Sequence, residues 1–588
     1  MDTTTVNETQ LQHAQKPTKQ ATNSSIDRRF LSIGEGIILL GLGLVALIPR
    51  IILATLLDMV TDESTYIIGG KVYLPLVLHF RLTSQRWGFN YEHPPLVKLL
   101  IGVVIYLNGH LGHLFGELLA ARMPSILSGT LLVLAVYWLG RAPFGRAVAL
   151  LAALCLAVSP WLAYFSALAY LDMTMTTLIT VAYLLLWPAI RQPRLYLLSA
   201  ALVGLGAASK YTAVLAIPGM IVFTVYYFFA LRPKLPEGQR PPIPWRWWLG
   251  AILLSPAIFF IADPAIWSDP LNLLLRSFSF ELNHSINGHL TFIAGQNYLH
   301  VPQWAILYII FTKMSLFVTV PAACFVVFAL AQLVRFHLPK TTIQVTEVSS
   351  IAFLFIWLCA LVGMFSLLNI VVGTHYHIPI AVPVALAGAS AWATLFRYRR
   401  GVLFRPTTTY LPSTSIAATQ PASPARPHIN FNLRAVVVLA WLTVFLVGPH
   451  LVGLTTVYAA EGYTSEAFHG ENDALQVAYP AYREASFWLM AHTHRTGRVG
   501  LVAISGTLNP GYFGVSWYTY NPQFTKLNFI EAHPDVASFP YDYLVWPMHL
   551  IQRGYAIPAP WRSHIVHVIS GGATTYCFIM ARDPATIS

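Results

Sequence analysis

The chain has 588 residues, of which 56% are hydrophobic and only 10% charged, with a mean hydropathy of +0.59. A soluble domain carries roughly 25% charged residues, so this composition excludes an ordinary soluble enzyme. The formal charge of +12 sits in short loops between apolar segments, which is a topology signal and not a nucleic-acid footprint.

Residues 1–31 are rich in Thr, Gln, Asn and Lys and read as a disordered cytoplasmic tail. The first apolar segment, 32–57, is followed by no small-residue cleavage pattern, so it reads as a retained signal anchor. Arg50, beside Pro49, is expected to snorkel to the interface. Residues 58–116 read as an outer loop. Its apolar run 96–107 is short for a span and is expected to lie on the membrane surface as an interfacial helix.

Further spans are expected over 117–140, 147–169, 173–190, 195–209, 211–231, 247–262, 303–334, 350–372, 378–396 and 434–457, about eleven with the first. A second outer loop covers 262–302, and the Pro/Ser/Thr-rich stretch 401–433 reads as a linker. Residues 458–588 have the composition of a soluble domain. They show a helical pattern over 482–492 and β-type runs at 498–504, 525–530, 541–546, 564–569 and 574–580, a small α/β domain.

Arg141, Arg146, Arg191, Arg194, Arg232, Lys234, Arg335 and the linker arginines occupy the loops on the N-terminal side. The opposite loops carry acids: Asp58, Asp62, Glu63, Glu92, Asp172, Asp263, Asp269 and Glu281. The positive-inside rule therefore places the N-terminus in the cytoplasm and the acidic edge outside, and an odd span count sends 458–588 outside as well. The four cysteines, Cys155, Cys324, Cys359 and Cys577, form no disulfide or metal pattern.

The chemistry gathers at the outer edge. Asp62 and Glu63 directly follow the first span, and Asp172 stands at the outer end of another. Carboxylates on different spans can serve as a base and its partner, or can share a divalent cation; no other cofactor is implied. Lys98, Arg122 and Lys210 are outward cations near span ends. Snorkelling anchors explain such residues equally well, whereas as a cluster, with His93, they would hold a lipid phosphate. Tyr66, Glu92, His289 and the run His375-Tyr376-His377 are candidates for substrate contact. A His-x-His pair can also bind metal.

Together these residues resemble the protein O-mannosyltransferase family (glycosyltransferase family 39) over 32–400. Asp62-Glu63 follows the first span, His93-Pro94-Pro95-Leu96-Val97-Lys98 is similar to the family's His-Pro-Pro-Leu-Gly-Lys, and Arg122 is similar to its second-span arginine. Glu92 before His93 resembles an element of the lipid A aminoarabinose transferases. The resemblance implies a polytopic α-helical membrane protein of GT-C type with a catalytic module over 32–400. It implies inverting transfer of mannose or another hexose from a polyprenyl-phosphate donor to a hydroxyl of protein Ser/Thr, or of a lipid or glycan. Asp62 would be the base, at the outer face of a prokaryotic plasma membrane. Implied partners are the lipid-linked sugar, the acceptor and membrane lipids, with no nucleic acid. The reading from another class is a polyprenyl-lipid flippase, which would need ionisable groups along a mid-membrane path.

The topology is testable directly. On intact cells an impermeant thiol reagent is expected to label Gly500→Cys and to leave Gln420→Cys unlabelled; the reverse pattern overturns the orientation.

Overall fold

The computed structural model describes residues 33–57, 59, 61–288, 290–339, 344–367, 373–400, 464–468, 470–473, 481–493, 495–503, 527–535, 540–571 and 574–588. The expected tail 1–31, the linker 401–433, the span 434–457 and His289 lie outside the described residues. By contacts the chain divides into Met1–Gly41, of which the start of one helix is described, and Leu42–Ser588.

The apolar segments form helices: α1 (Ile33–Leu56), α2 (Thr61–Leu78), α3 (Leu96–His110), α4 (Glu117–Phe144), α5 (Arg146–Ala157), α6 (Pro160–Ser166), α7 (Asp172–Ala189), α8 (Leu195–Ser209), α9 (Ile217–Tyr226), α10 (Trp245–Ala262), α11 (Pro270–Asn287), α12 (Ala305–Lys313), α13 (Leu316–His337), α14 (Val345–Ser366) and α15 (Ile378–Arg400). Among the described residues seven helical segments are long and apolar enough to cross a membrane, or eight if the bent pair α5–α6 is one span. Neither α2 nor α3 is among them. The protein is a multi-pass helical membrane protein.

Two sequence expectations change at breaks in the helices. The segment 147–169 bends by 62° between α5 and α6. Ser159 caps α6, its Oγ accepting from the Leu162 N–H, and Pro160 starts the helix. Arg50 does not snorkel: it is fully buried and donates to the carbonyls of Ala46 at 2.7 Å and Ala157 at 3.0 Å. Its charge thus meets the free carbonyl end of α5, where a helix favours a cation. Gly129 leaves the space, since a Cβ there would stand 3.0 Å from Arg50 Nε.

The expected span 303–334 is likewise broken, at Met314-Ser315. Ser315 caps α13, and the Glu466 carboxylate accepts from Ser315 Oγ and from the Leu316 N–H at 2.8 Å. A carboxylate at a helix start satisfies donors that the helix itself leaves open. It also ties the C-terminal region to the membrane helices.

The predicted outer loop 58–116 is mostly helical. Helices α2 and α3 touch backbone to backbone, because a Cβ on Gly70 would lie 2.5 Å from the Lys98 carbonyl oxygen and 2.8 Å from Gly102 N. Tyr73 and Trp87 pack against each other beside this pair, ring centroids 5.0 Å apart and planes tilted by 30°, and the Tyr73 hydroxyl donates to the Phe89 carbonyl. After α11 a short hairpin, β1 (Thr291–Ile293) and β2 (Gln296–Tyr298), leads to α12.

The C-terminal region is an α/β unit as the sequence predicts. Strands β3 (Gly497–Val502), β4 (Leu527–Ala532), β5 (Tyr543–Pro547), β6 (Ile565–Gly571) and β7 (Thr574–Ala581) form one sheet in the order β4-β3-β5-β7-β6. Strand β3 runs parallel to β4 and β5, and β7 is antiparallel to β5 and β6. Helix α16 (Tyr482–His492) packs on a core that includes Leu489, Trp546 and Ile579. Asn297 of β2 donates to the Gln552 carbonyl, so the hairpin contacts this unit.

Candidate active site

Asp62 and Glu63 occupy the first turn of α2, where the helix start favours carboxylates. They point to different partners. Glu63 is fully buried and receives both Nε and Nη2 of Arg122, at 2.7 and 2.6 Å, and the Ala169 N–H at 2.7 Å. Arg122 Nη1 donates to the carbonyls of Ala54 and Leu57 at 2.7 and 2.9 Å. This one cluster joins the end of α1, the start of α2, helix α4 and the turn before α7. The proposed phosphate role of Arg122 therefore changes. Its fully buried guanidinium is committed to a carboxylate and carbonyls.

Lys98 changes in the same way. Its Nζ donates to Asn90 O at 2.7 Å, Asn90 Oδ1 at 2.7 Å and His93 O at 2.8 Å, which uses the three donors of an ammonium. Asn90 sits at φ +47, a left-handed geometry that asparagine tolerates better than most residues. Lys98 thus shapes the turn 90–93 and presents His93, whose Nδ1 lies 3.2 Å from Glu281 Oε1.

The remaining candidates converge. Asp172 opens α7, is buried, and accepts from Lys210 Nζ at 2.7 Å. Lys210 caps the end of α8 in an extended conformation, its ammonium 3.8 Å from the Tyr376 ring centroid. Asp62 accepts a hydrogen bond from Tyr170, and the charges of His93, Lys210 and Asp172 act on it. Burial raises its carboxyl above the ordinary aspartate value, while His93 and Lys210 pull the other way. Tyr66 lies 6.0 Å, centroid to centroid, from both His93 and Tyr170, and His375 lies 5.3 Å from Tyr170 and 4.3 Å from Tyr376. Glu92 and Tyr376 both act electrostatically on Tyr66. His377 is buried against Phe365.

The site thus gathers Asp62, Tyr66, Glu92, His93, Asp172, Lys210, His375, Tyr376 and His377, all candidates from sequence. Tyr170 and Glu281 join it without having been singled out. Tyr170 lies two residues before Asp172, and Glu281 is on the buried side of α11, one turn after Ser277. Asp263, just beyond α10, is a further buried carboxylate; burial pushes it up to about 7 against the pull of Lys98. Among the described residues no group of three His, Cys, Asp or Glu is placed to hold a metal ion. No step through a metal follows from this geometry.

The cluster can do three things. It offers a carboxylate outside the closed salt bridges, an ammonium and an imidazole a short way from it, and aromatic faces between them. That set suits deprotonation of a hydroxyl beside an anionic leaving group.

Residues 92–260 match the family described as Dolichyl-phosphate-mannose-protein mannosyltransferase. The resemblance read from the sequence is borne out over that stretch, which holds His93, Lys98, Arg122, Asp172 and Lys210. Similar solved structures include ArnT from Cupriavidus metallidurans bound to undecaprenyl phosphate, 14% identical with a TM-score of 0.45 over 94% of this chain and 99% of that one. AglB from Archaeoglobus fulgidus, in complex with an inhibitory peptide and a dolichol-phosphate, is 12% identical, with a TM-score of 0.45 over 88% of this chain and 70% of that one. The S. cerevisiae Pmt1–Pmt2 complex bound to its sugar donor is 19% identical, with a TM-score of 0.32 over 40% of this chain and 33% of that one. A search of curated proteins finds no match to the sequence.

The Glu63–Arg122 cluster makes a stability prediction. Glu63→Ala leaves a buried guanidinium without its carboxylate and is expected to cost about 3–5 kcal/mol. Glu63→Gln, which keeps hydrogen-bonding atoms, is expected to cost less. Thermal unfolding of the detergent-solubilised protein measures both; equal stability of Glu63→Ala and the parent overturns the assignment.

Proposed function

We propose, on the premise of that family match over residues 92–260, that the chain is a glycosyltransferase using a polyprenyl-phosphate-linked sugar. The sugar is mannose or another hexose. The acceptor is a hydroxyl of protein Ser or Thr, and the reaction takes place at the outer face of the membrane. What carries this reading is the convergence of Asp62, His93, Asp172 and Lys210 with Tyr66, Tyr170 and Tyr376 at one membrane edge.

In this reading Asp62 takes the acceptor proton. It is the only one of the three buried-edge acids Asp62, Glu63 and Asp172 without a cation in direct contact among the described residues. Glu63 is closed by Arg122 and Asp172 by Lys210. A base raised toward neutrality by burial transfers a proton more effectively, and such positioning is worth about 10²–10⁴-fold. As the acceptor oxygen forms its bond to the anomeric carbon, the bond from that carbon to the phosphate oxygen breaks. The electron pair leaves with the polyprenyl phosphate, and displacement from the opposite face inverts the anomeric centre.

The leaving phosphate gains charge and needs fixed positive groups rather than a proton. Lys210 fills that part, with the His93 ring beside it as a hydrogen-bonding group. Asp172 holds Lys210 in place, Glu281 does the same for His93, and Lys98 holds the turn that carries His93. Arg122 positions α2 and so Asp62. The aromatic rings and His375 offer apolar faces and hydrogen bonds to a sugar.

The assay is transfer of labelled sugar from polyprenyl-phosphate mannose to a Ser/Thr peptide by the purified protein in lipid. A lipid or glycan acceptor labelled in place of the peptide narrows the acceptor. Movement of the lipid across proteoliposomes without transfer favours a flippase and overturns the reading.

Two kinetic outcomes follow. Asp62→Asn keeps shape and hydrogen-bonding capacity and is expected to lower kcat by roughly 10²-fold or more with little change in donor KM. Near-normal turnover in Asp62→Asn with none in Asp172→Asn exchanges the two roles. The base works only when deprotonated, so kcat/KM should rise with pH through the Asp62 titration. The midpoint should lie above the ordinary value of about 3.9, and a pH profile in which Asp62→Asn retains that limb assigns it to another group.

A further inference from the structure

Helix α11 presents three different faces. Successive residues of an α-helix turn by about 100°, so residues three and four apart share a side. The first face is turned to the protein: Ser277 is buried and its Oγ donates to the Tyr91 carbonyl at 2.8 Å, and Glu281 faces His93. The second is polar and exposed, with Asn272, Arg276, Ser279, Asn283 and Asn287. The third consists of Leu271, Leu275, Phe278, Leu282 and Ile286, which are 68, 52, 60, 49 and 60% exposed. On a helical wheel these rows lie about 120° apart.

Protein, water and a third medium thus each have a side, and the third medium is apolar. What it is follows from the preceding helix. The membrane-spanning α10 has no buried residue, and its surface includes Leu253, Phe260 and Ile261, at 63, 41 and 63% exposure. From Ala262 the chain passes through the short turn Pro264–Ile266 and Trp267, itself 36% exposed, into α11. Tryptophan, like tyrosine, is enriched at the membrane–water boundary. The apolar surface therefore continues from a lipid-facing span onto the third face of α11, and an aromatic residue marks the change of direction.

We propose that α11 is an interfacial helix whose Leu271–Leu275–Phe278–Leu282–Ile286 row is immersed in the leaflet on the side of the candidate site. Its polar row faces water and its first face grips the turn 90–93. The row enters the headgroup–acyl boundary by about 5–10 Å, as such helices do. Arg276, lying 3.8 Å from the Tyr91 ring centroid, sits at the border of the polar and protein sides. Through Ser277 and Glu281 the helix fixes the height of Tyr91 and His93 relative to the bilayer. The leaflet itself thereby becomes a wall of the site.

The experiment uses the full chain in phospholipid nanodiscs, with the four native cysteines replaced by alanine. Spin labels are placed singly along the apolar row (Leu271→Cys, Leu275→Cys, Phe278→Cys, Leu282→Cys, Ile286→Cys) and along the polar row (Asn272→Cys, Ser279→Cys, Asn283→Cys). Collision with oxygen, which concentrates in lipid, is compared with collision with a water-soluble nickel chelate. Labels on the apolar row are expected to meet oxygen several-fold more than nickel, and labels on the polar row the reverse. Equal access of nickel to both rows puts the apolar row in water and overturns the proposal. Access of neither probe to the apolar row also overturns it, since protein then covers that face. The unsubstituted chain gives an independent reading with a lipid that carries a photoactivatable diazirine in its acyl chain. Cross-links are expected on both α10 and α11 peptides; labelling of α10 with none on α11 overturns the proposal.

Discussion

The buried Glu63–Arg122 pair is the constraint on which the site depends. Its five described contacts draw on four separate stretches of chain. Removing a charge pair from water is costly unless every donor and acceptor finds a partner, so the cluster tolerates one arrangement of these helices. That arrangement sets the first turn of α2, and with it the position of Asp62 beside Tyr170 and the Asp172–Lys210 pair. An Asp-Glu dipeptide thus splits in two, one acid closed by Arg122 and its neighbour set beside Tyr170.

Much of this was legible in the sequence. The C-terminal strands fall within two residues of their predicted ends, because alternating apolar runs between turn residues have few other solutions. Helix 482–492 was clear from its period. At the site, Asp62, His93, Asp172, Lys210 and His375-Tyr376-His377 could be chosen because a polar residue at a span end is expensive and stands out. Less legible was which cations were already occupied. Lys98 and Arg122 look like phosphate ligands in one dimension, but carbonyls of Asn90, His93, Ala54 and Leu57 claim them, and a carbonyl leaves no trace in sequence. Arg50 misled for the same reason: its partner is the end of a broken helix. The break after α12 was hidden because Ser315 caps a helix only where Glu466, 151 residues on, comes to meet it.

These assignments give each cation of the membrane edge a distinct task. Arg122 carries structure, Lys98 shapes a turn, and Lys210 lies between a carboxylate and an aromatic face. The last is the arrangement that can respond to an anion. An ammonium shared between Asp172 and the Tyr376 ring can turn toward a phosphate without losing all its contacts, whereas Lys98 would have to release three carbonyl or amide oxygens at once. His93, on the turn 90–93, and Glu281, on α11, complete the set.

The glycine contact between α2 and α3 has a mechanical consequence. With Gly70 and Gly102 in backbone contact, neither helix can slide or tilt against the other without collision. The two are packed as one unit, and the Glu63–Arg122 cluster holds its end. In the proposed reaction a long isoprenoid tail would enter and leave beside these two helices at every turnover. Any compliance it needs would come from the opposing elements, α11 and the turn Thr374–His377, which meet the site through hydrogen bonds, the Glu281–His93 contact and ring contacts.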